Sequence, residues 1–103
     1  MSKNRGEFMT DEQIQKLLKE IKQEQHPSPF KDDEEFIGYI KDGEYDINKV
    51  CGAKIDYEKD LKARSLLKNY VLYADYKKLA EFRELYGAEY ALLQADYYKP
   101  TDV

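Results

Sequence analysis

The chain has 103 residues and a formal net charge of −4, which fits one small domain with little room for an enclosed active-site cavity. Charged residues make up 37% of the chain, so we expect a thin core and the charged surface typical of amphipathic helices. The single cysteine excludes an internal disulfide framework and a cysteine-based zinc site. No long apolar run predicts a membrane-spanning helix, and an acidic chain is not expected to bind duplex DNA. These exclusions favour a protein that acts by contacting other proteins.

Residues 1–8 are polar and show no apolar pattern, and the sequence predicts a disordered leader over residues 1–9 with no signal peptide. Two interpretations stay open: a disordered natural N-terminus, or an added leader ahead of a natural initiator at Met9. The first predicted helix covers about residues 11–25 and opens with a capping box formed by Thr10 and Gln13. Its apolar residues recur on one face before two prolines end it: Ile14, Leu17, Leu18 and Ile21.

The second predicted helix covers about residues 32–51, with Asp32 as its N-cap and Gly52 as a left-handed C-cap. Its apolar seam has spacings of four and three residues and passes through a glycine: Phe36, Ile40, Gly43, Ile47 and Val50. An interior glycine costs about 1 kcal/mol relative to alanine. Burial of Ile47 and Val50, the apolar residues that follow it, stabilises the helix by about 1.5–3 kcal/mol each. We therefore predict one helix through Gly43, and the alternative is a break there.

Asp56 is expected to cap a third helix over about residues 57–75. If the apolar face of this helix continued, it would next meet charged residues, whereas a new apolar stripe begins at Leu79. This change of face predicts a tight corner at residues 75–77 and a fourth helix over about residues 78–98. The alternative is one long helix whose two halves face different partners.

The predicted fold is therefore all-α. We expect a small four-helix domain over residues 10–98, with long antiparallel helices, and a mobile C-terminal tail over residues 99–103. No strand pattern and no internal repeat is present in the sequence.

No sequence motif points to catalysis, a cofactor or a metal. His26 is the only histidine and lies beside a proline, away from Cys51, so no nucleophile–base pair is expected. The four acids at 32–35 are consecutive, so their side chains point about 100° apart on a helix and do not converge on one ion. A calcium loop beginning at Asp42 would require an acid where Ala53 stands. We predict no enzyme activity, no cofactor and no metal site.

Tyrosine is the unusual residue, because the chain has 10 and eight of them lie between Tyr57 and Tyr98. Tyrosine is amphipathic and enriched at protein interfaces. Tyr73 and Tyr76 fall off the predicted apolar stripes and are candidate subunit-interface residues, with ordinary half-buried surface as the alternative. The tyrosines that fall on the stripes are expected in the core: Tyr70, Tyr86 and Tyr90.

The stretch at 63–74, ARSLLKNYVLYA, followed by Leu79 and Phe82, resembles the small head–tail connector (adaptor) proteins of tailed bacteriophages. The order of parts is also similar: an acidic helix start, a long helix ending in a glycine cap, a linker and two amphipathic helices. The resemblance covers about residues 10–98 and includes no catalytic motif. It departs at the corner, where many family members have a small flexible residue and this chain has Tyr76 and Lys77.

The resemblance implies a structural virion protein whose subunits form a ring under the portal protein and extend the DNA channel. It implies two protein partners, the portal and the next head-completion or tail protein, with DNA passing nearby without specific binding and no membrane contact. The subunit would be a monomer or weak oligomer in the host cytoplasm before it joins the head–tail interface of the virion.

In that family the C-terminal segment reaches into the portal, which makes four residues candidate docking residues here: Tyr97, Tyr98, Lys99 and Pro100. The competing interpretation is a small helical regulator, of the anti-repressor or antitoxin kind, that binds one protein partner.

Overall fold

The computed structural model describes residues 8–25 and 32–99, which form five α-helices and no β-strand. The helices are α1 (Asp11–Gln25), α2 (Asp33–Cys51), α3 (Leu61–Asp75), α4 (Leu79–Leu85) and α5 (Gly87–Tyr97). α2 packs against α1, α3 and α5, and α3 also contacts α1, α4 and α5. The all-α prediction is confirmed, whereas the antiparallel arrangement stays a prediction. Most of the predicted leader and the tail beyond Lys99 lie outside the described residues.

α1 has the predicted bounds and the predicted capping box. The amide of Gln13 donates to the Thr10 hydroxyl at 3.2 Å, and the amide of Thr10 donates to Oε1 of Gln13 at 2.9 Å. The opposite ends of the helix carry complementary charges, with Asp11 and Glu12 in the first turn and Lys22 in the last. The whole apolar stripe of α1 is buried: Ile14, Leu17, Leu18 and Ile21.

α2 continues through Gly43, as predicted, and packs closely on α3 at that residue. A Cβ atom at Gly43 would lie 2.6 Å from Cδ1 of Leu67 and 2.8 Å from Cδ1 of Tyr70, so only glycine permits this approach. Gly52 has a φ of 65° and closes α2 with a left-handed cap. Asp32 occupies the N-cap position, but its side chain makes no capping hydrogen bond.

The predicted start of the third helix is wrong, because α3 begins at Leu61 rather than near residue 57. Asp56 instead accepts a hydrogen bond from the amide two residues later and stabilises a turn. Asp60 is the true N-cap, since its Oδ1 accepts from the amide of the third helical residue at 3.0 Å. Tyr57 is buried in that turn, where its hydroxyl donates to Oδ1 of Asn48 at 2.8 Å. Burial of this ring keeps the segment out of the helix.

The predicted break after the third helix is confirmed. α3 ends at Asp75, and Lys77 has a φ of 61°, a left-handed conformation that no other non-glycine residue adopts in the described part of the chain. The amide of Lys78 donates to the carbonyl oxygen of Tyr73 at 2.8 Å, which closes the corner before α4 begins. The alternative of one long helix through this region is therefore wrong.

The predicted fourth helix is divided into α4 and α5 by one residue, Tyr86. Its φ of −106° and ψ of 18° depart from helical values, and Gly87 follows with weak helix propensity. The amide of Tyr86 still donates to the carbonyl of Phe82, and the amide of Tyr90 to that of Tyr86, at 2.8 and 3.0 Å. The prediction of four helices is thus corrected to five among the described residues, with helical hydrogen bonding retained across the interruption.

Candidate protein-binding surface

The described side chains provide no candidate reaction centre. Within residues 8–25 and 32–99, no group of three or more His, Cys, Asp or Glu residues is placed to hold a metal ion. Cys51 is buried, and burial raises the pKa of its thiol above the usual value, which disfavours a nucleophilic thiolate. None of the described helices combines the length and apolar character that crossing a membrane requires. His26 lies outside the described residues.

α5 is fixed in the fold by its inner face. Tyr90 and Leu93 are buried, and the Tyr90 hydroxyl donates to Oδ2 of Asp46 on α2 at 2.7 Å. Arg83 at the end of α4 donates to the other oxygen of Asp46 at 2.5 Å. One carboxylate thus holds both α4 and α5 against α2.

The opposite face of α5 is apolar and exposed. We call it the outer stripe; its members recur at spacings of three and four residues and include the last residue of α4: Leu85, Ala88, Leu92 and Ala95. Both leucines of the stripe are exposed. A helix that is apolar on both faces is typical of one covered on both sides. The described residues of this chain leave the outer stripe exposed.

A groove of about 360 Å³ lies between α3 and α5, beside the outer stripe. Leu66 and Leu93 line it with their buried side chains, and the exposed Leu61 stands at its edge. Lys62 and Glu89 supply opposite charges along the same groove. A largely apolar groove with a few charged groups suits the side chains of a partner helix.

The two candidate interface tyrosines lie in different surroundings. Tyr73 is half-buried, and its ring centroid is 5.5 Å from that of Phe82 and 5.7 Å from that of Tyr86. Its ring is therefore used inside the fold, in the aromatic cluster around Phe82 that also includes Tyr70. Tyr76 stands exposed at the corner after α3 and offers free surface.

The C-terminal candidate residues also differ in their surroundings, since Tyr97 packs inward and Tyr98 and Lys99 are exposed. The Tyr97 hydroxyl donates to Oδ2 of Asp60 at 2.5 Å, and burial together with this hydrogen bond raises the pKa of Tyr97. Since Asp60 also caps α3, Tyr97 fastens the end of α5 to the start of α3. Tyr98 is 70% exposed in extended backbone, and Lys99 is exposed as well. Pro100 lies outside the described residues.

Glu44 is the structural residue that the sequence interpretation missed. It is only 2% exposed, and its Oε2 accepts a hydrogen bond from the amide of Met9 at 2.8 Å. Burial raises the pKa of the carboxyl, although the Met9 hydrogen bond opposes that shift. The contact ties the N-terminal segment to α2. The sequence did indicate its burial, because Glu44 lies four residues after Ile40 and three before Ile47, on the apolar face of α2.

No family model matches the chain, and no curated protein or solved structure matches it either. A functional interpretation therefore depends on the chain's own residues. The features with free surface are the outer stripe, the α3–α5 groove, Tyr76 and Tyr98.

Proposed function

We propose that this chain is a structural subunit that works by protein contacts, and specifically a head–tail connector subunit of a tailed bacteriophage. The observation that carries the proposal is the outer stripe, whose leucines stay exposed although the inner face of the same helix is already packed. Contiguous exposed apolar surface marks protein-interaction sites. The connector assignment itself is supported by the resemblance of residues 63–74 and the helices that follow.

In this proposal the subunits dock under the portal protein as a ring that extends the DNA channel and receives the next head-completion or tail protein. The net charge of −4 supports it, because an acidic channel lets DNA slide without binding it. The protein would reside at the head–tail interface of the virion, and in the host cytoplasm as a monomer or weak oligomer before assembly.

The groove between α3 and α5 favours a second candidate function. A groove of about 360 Å³ that lies within one chain has room for the side chains of one partner helix without any ring. A small regulator of the anti-repressor or antitoxin kind would use it in this way. Genes for portal and capsid proteins beside this gene would favour the connector, and genes for a repressor or a toxin would favour the regulator.

The test of the proposed function is attachment to a portal ring. The full chain and the portal protein encoded in the same genome are purified separately, mixed and sedimented together. We expect the chain to sediment with the portal while remaining a monomer or weak oligomer on its own. A chain that stays in the supernatant, or that forms a tight dimer at micromolar concentration without the portal, would contradict the connector and favour the regulator.

A truncation locates the docking element. Deletion of residues 98–103 removes the exposed Tyr98 and leaves Tyr97 with its hydrogen bond to Asp60. We expect weaker attachment with an unchanged unfolding temperature, because tyrosine in a desolvated groove is a common hot spot. Gln23→Ala, at an exposed position of α1, is the control. Unchanged attachment of the truncated chain would reject the C-terminal docking role, and a large loss of stability would assign the segment to the core.

A further inference from the structure

Two exposed helical surfaces of this chain have the same spacing and opposite charge. We call the first the basic triplet; it lies on α2 and consists of Lys41, Tyr45 and Lys49. The second, the acidic triplet, lies across α4 and α5 and consists of Glu81, Leu85 and Glu89. The basic triplet follows one side of α2 over about 12 Å. The acidic triplet keeps the same spacing across the interruption at Tyr86, where helical hydrogen bonding is retained. Their central residues are well exposed, Tyr45 at 58% and Leu85 at 64%.

The charges of both triplets are available for a partner. Lys41 and Glu89 form no salt bridge among the described residues, and Lys49 lies 5.9 Å from the centroid of the Tyr45 ring. Glu81 has one contact with Lys78, at 3.9 Å between two exposed side chains, which is a weak pair. Each triplet therefore presents two like charges around one exposed hydrophobic residue.

We propose that the acidic triplet of one copy binds the basic triplet of a second copy of this chain. Leu85 would pack on Tyr45, with the glutamates against the lysines. The inference rests on the proposed function, because it names the contact by which subunits would join under the portal. Two different surfaces meet, so the contact is heterologous and generates a closed ring where the rotation between copies permits it.

Charge selects this arrangement over the symmetric one. Pairing the outer stripes of two copies would bring Glu84 and Glu89 of each copy toward the glutamates of the other, which is repulsive. Asp42 is also exposed beside the basic triplet and lines a cleft with Tyr70 and Lys77.

The proposed contact is small, and this agrees with a subunit that associates weakly when free. Exposed ion pairs contribute little affinity individually. A portal ring that holds neighbouring copies in place would raise their effective concentration and make a weak contact sufficient.

The experiment is disulfide trapping between two single variants of the full chain, Tyr45→Cys and Leu85→Cys. They are mixed in equal amounts at low salt, oxidised mildly, and the dimers are identified by mass. Tyr45→Cys mixed with Lys19→Cys, an exposed position on α1, is the matched control. The native Cys51 is buried and stays out of the reaction. We expect the mixed dimer of the first pair to exceed its homodimers and the control by about five-fold.

Charge reversal makes the test specific. Adding Glu81→Lys and Glu89→Lys to the Leu85→Cys copy should lower the yield of the mixed dimer to that of the control. Adding Lys41→Glu and Lys49→Glu to the other copy should then restore it. A yield equal to the control from the start, an excess of homodimers, or no restoration would overturn the proposal.

Portal attachment is measured on the unsubstituted chain and separates the two proposals. Trapping of the mixed dimer without portal attachment would support the contact between copies and reject the connector function. Portal attachment without trapping would support the connector function and reject this contact.

Discussion

α1 and α5 use their apolar residues in different ways. Every apolar residue on the stripe of α1 is buried, and the opposite face is charged. α5 buries its inner face in the same manner but also exposes the leucines and alanines of the outer stripe. An exposed apolar face adds nothing to the stability of a single chain. The apolar stripe of α1 is therefore fully covered within one chain, whereas the described residues leave one apolar face of α5 exposed.

The charged residues of these helices show the same difference. Glu20 of α1 accepts hydrogen bonds from Arg64 and Lys68 of α3, and Lys68 also reaches Glu24 at 2.9 Å. The side chains of Arg64 and Lys68 are mostly buried in this network. Glu84 and Glu89, beside the outer stripe, form no salt bridge with the described residues. Glu20 and Glu24 of α1 are thus paired inside the chain, whereas these two glutamates beside the outer stripe are not.

The largest expected effect is at the inner stripe of α1. Ile21→Ala should lower the free energy of unfolding by about 2–5 kcal/mol, because Ile21 is fully buried and a cavity would remain. Urea denaturation of the purified chain measures the change, with the exposed neighbour Gln23→Ala as the control. A loss below about 1 kcal/mol would contradict the description of α1, since it would mean that the α1 stripe is not part of a tightly packed core.

Substituting alanine for each of two glycines of α2 should change the stability of the chain in opposite directions. Gly43→Ala should destabilise the chain by about 1–3 kcal/mol, since its Cβ would collide with Leu67 and Tyr70. Gly38 has no atom within 4 Å of an added Cβ, so Gly38→Ala should stabilise α2 by about 0.5–1 kcal/mol. Thermal unfolding of both variants is the measurement. Stabilisation by both would show that α2 and α3 are not in close contact.

At the end of α5 the boundary between the inner and outer faces falls between neighbouring tyrosines. Tyr97→Phe should cost about 1–3 kcal/mol, because Asp60 loses a hydroxyl donor. Tyr98→Phe should change the stability by less than about 0.5 kcal/mol. The two variants differ from the parent by one oxygen each, so chemical denaturation isolates the hydrogen bond. An equal loss of stability in both variants would contradict the difference between a hydrogen-bonded Tyr97 and an exposed Tyr98.

Two glutamates that differ in surroundings should give opposite pH dependences. Burial raises the pKa of Glu44, whereas the hydrogen bond from Arg64 lowers the pKa of Glu20. The contribution of Glu44 to the free energy of unfolding is fully present below its usual pKa of 4.5 and is lost as the pH rises through the raised pKa. That of Glu20 is present above its usual 4.5 and is lost as the pH falls through the lowered value.

Glu44→Gln should therefore gain stability relative to the parent chain as the pH rises from acidic to neutral, and Glu20→Gln should lose it. Urea denaturation over this pH range measures both variants. The same slope in both would contradict the different environments of the two carboxyl groups.

The helices with local signals were predictable from the sequence, and those set by distant contacts were not. The capping box at Thr10 and the left-handed cap at Gly52 are encoded within a few residues, so both predictions are confirmed. Asp56 and Asp60 are equally good caps by sequence, and the choice depends on the burial of Tyr57 against Asn48. That contact joins separate elements, which a local pattern does not contain.

The candidate surface was predictable only in part, for the same reason. Tyr73 falls off the apolar stripe of its own helix, but the corner after α3 brings Phe82 onto its ring. The stripe that begins at Leu79 correctly placed Tyr90 in the core. The second apolar face of α5 was not predicted, and the exposure of Leu92 in the structure identifies it.

The most direct test of the account compares Leu92→Ala with Leu93→Ala. These neighbours both line the α3–α5 groove but differ in burial, with Leu93 2% and Leu92 62% exposed. Leu93→Ala should lower the free energy of unfolding by about 2–5 kcal/mol. Leu92→Ala should leave it within about 0.5 kcal/mol while weakening the attachment of the folded chain to the portal ring. An equal loss of stability in both variants, or full attachment of Leu92→Ala, would contradict a second contact on the outer stripe.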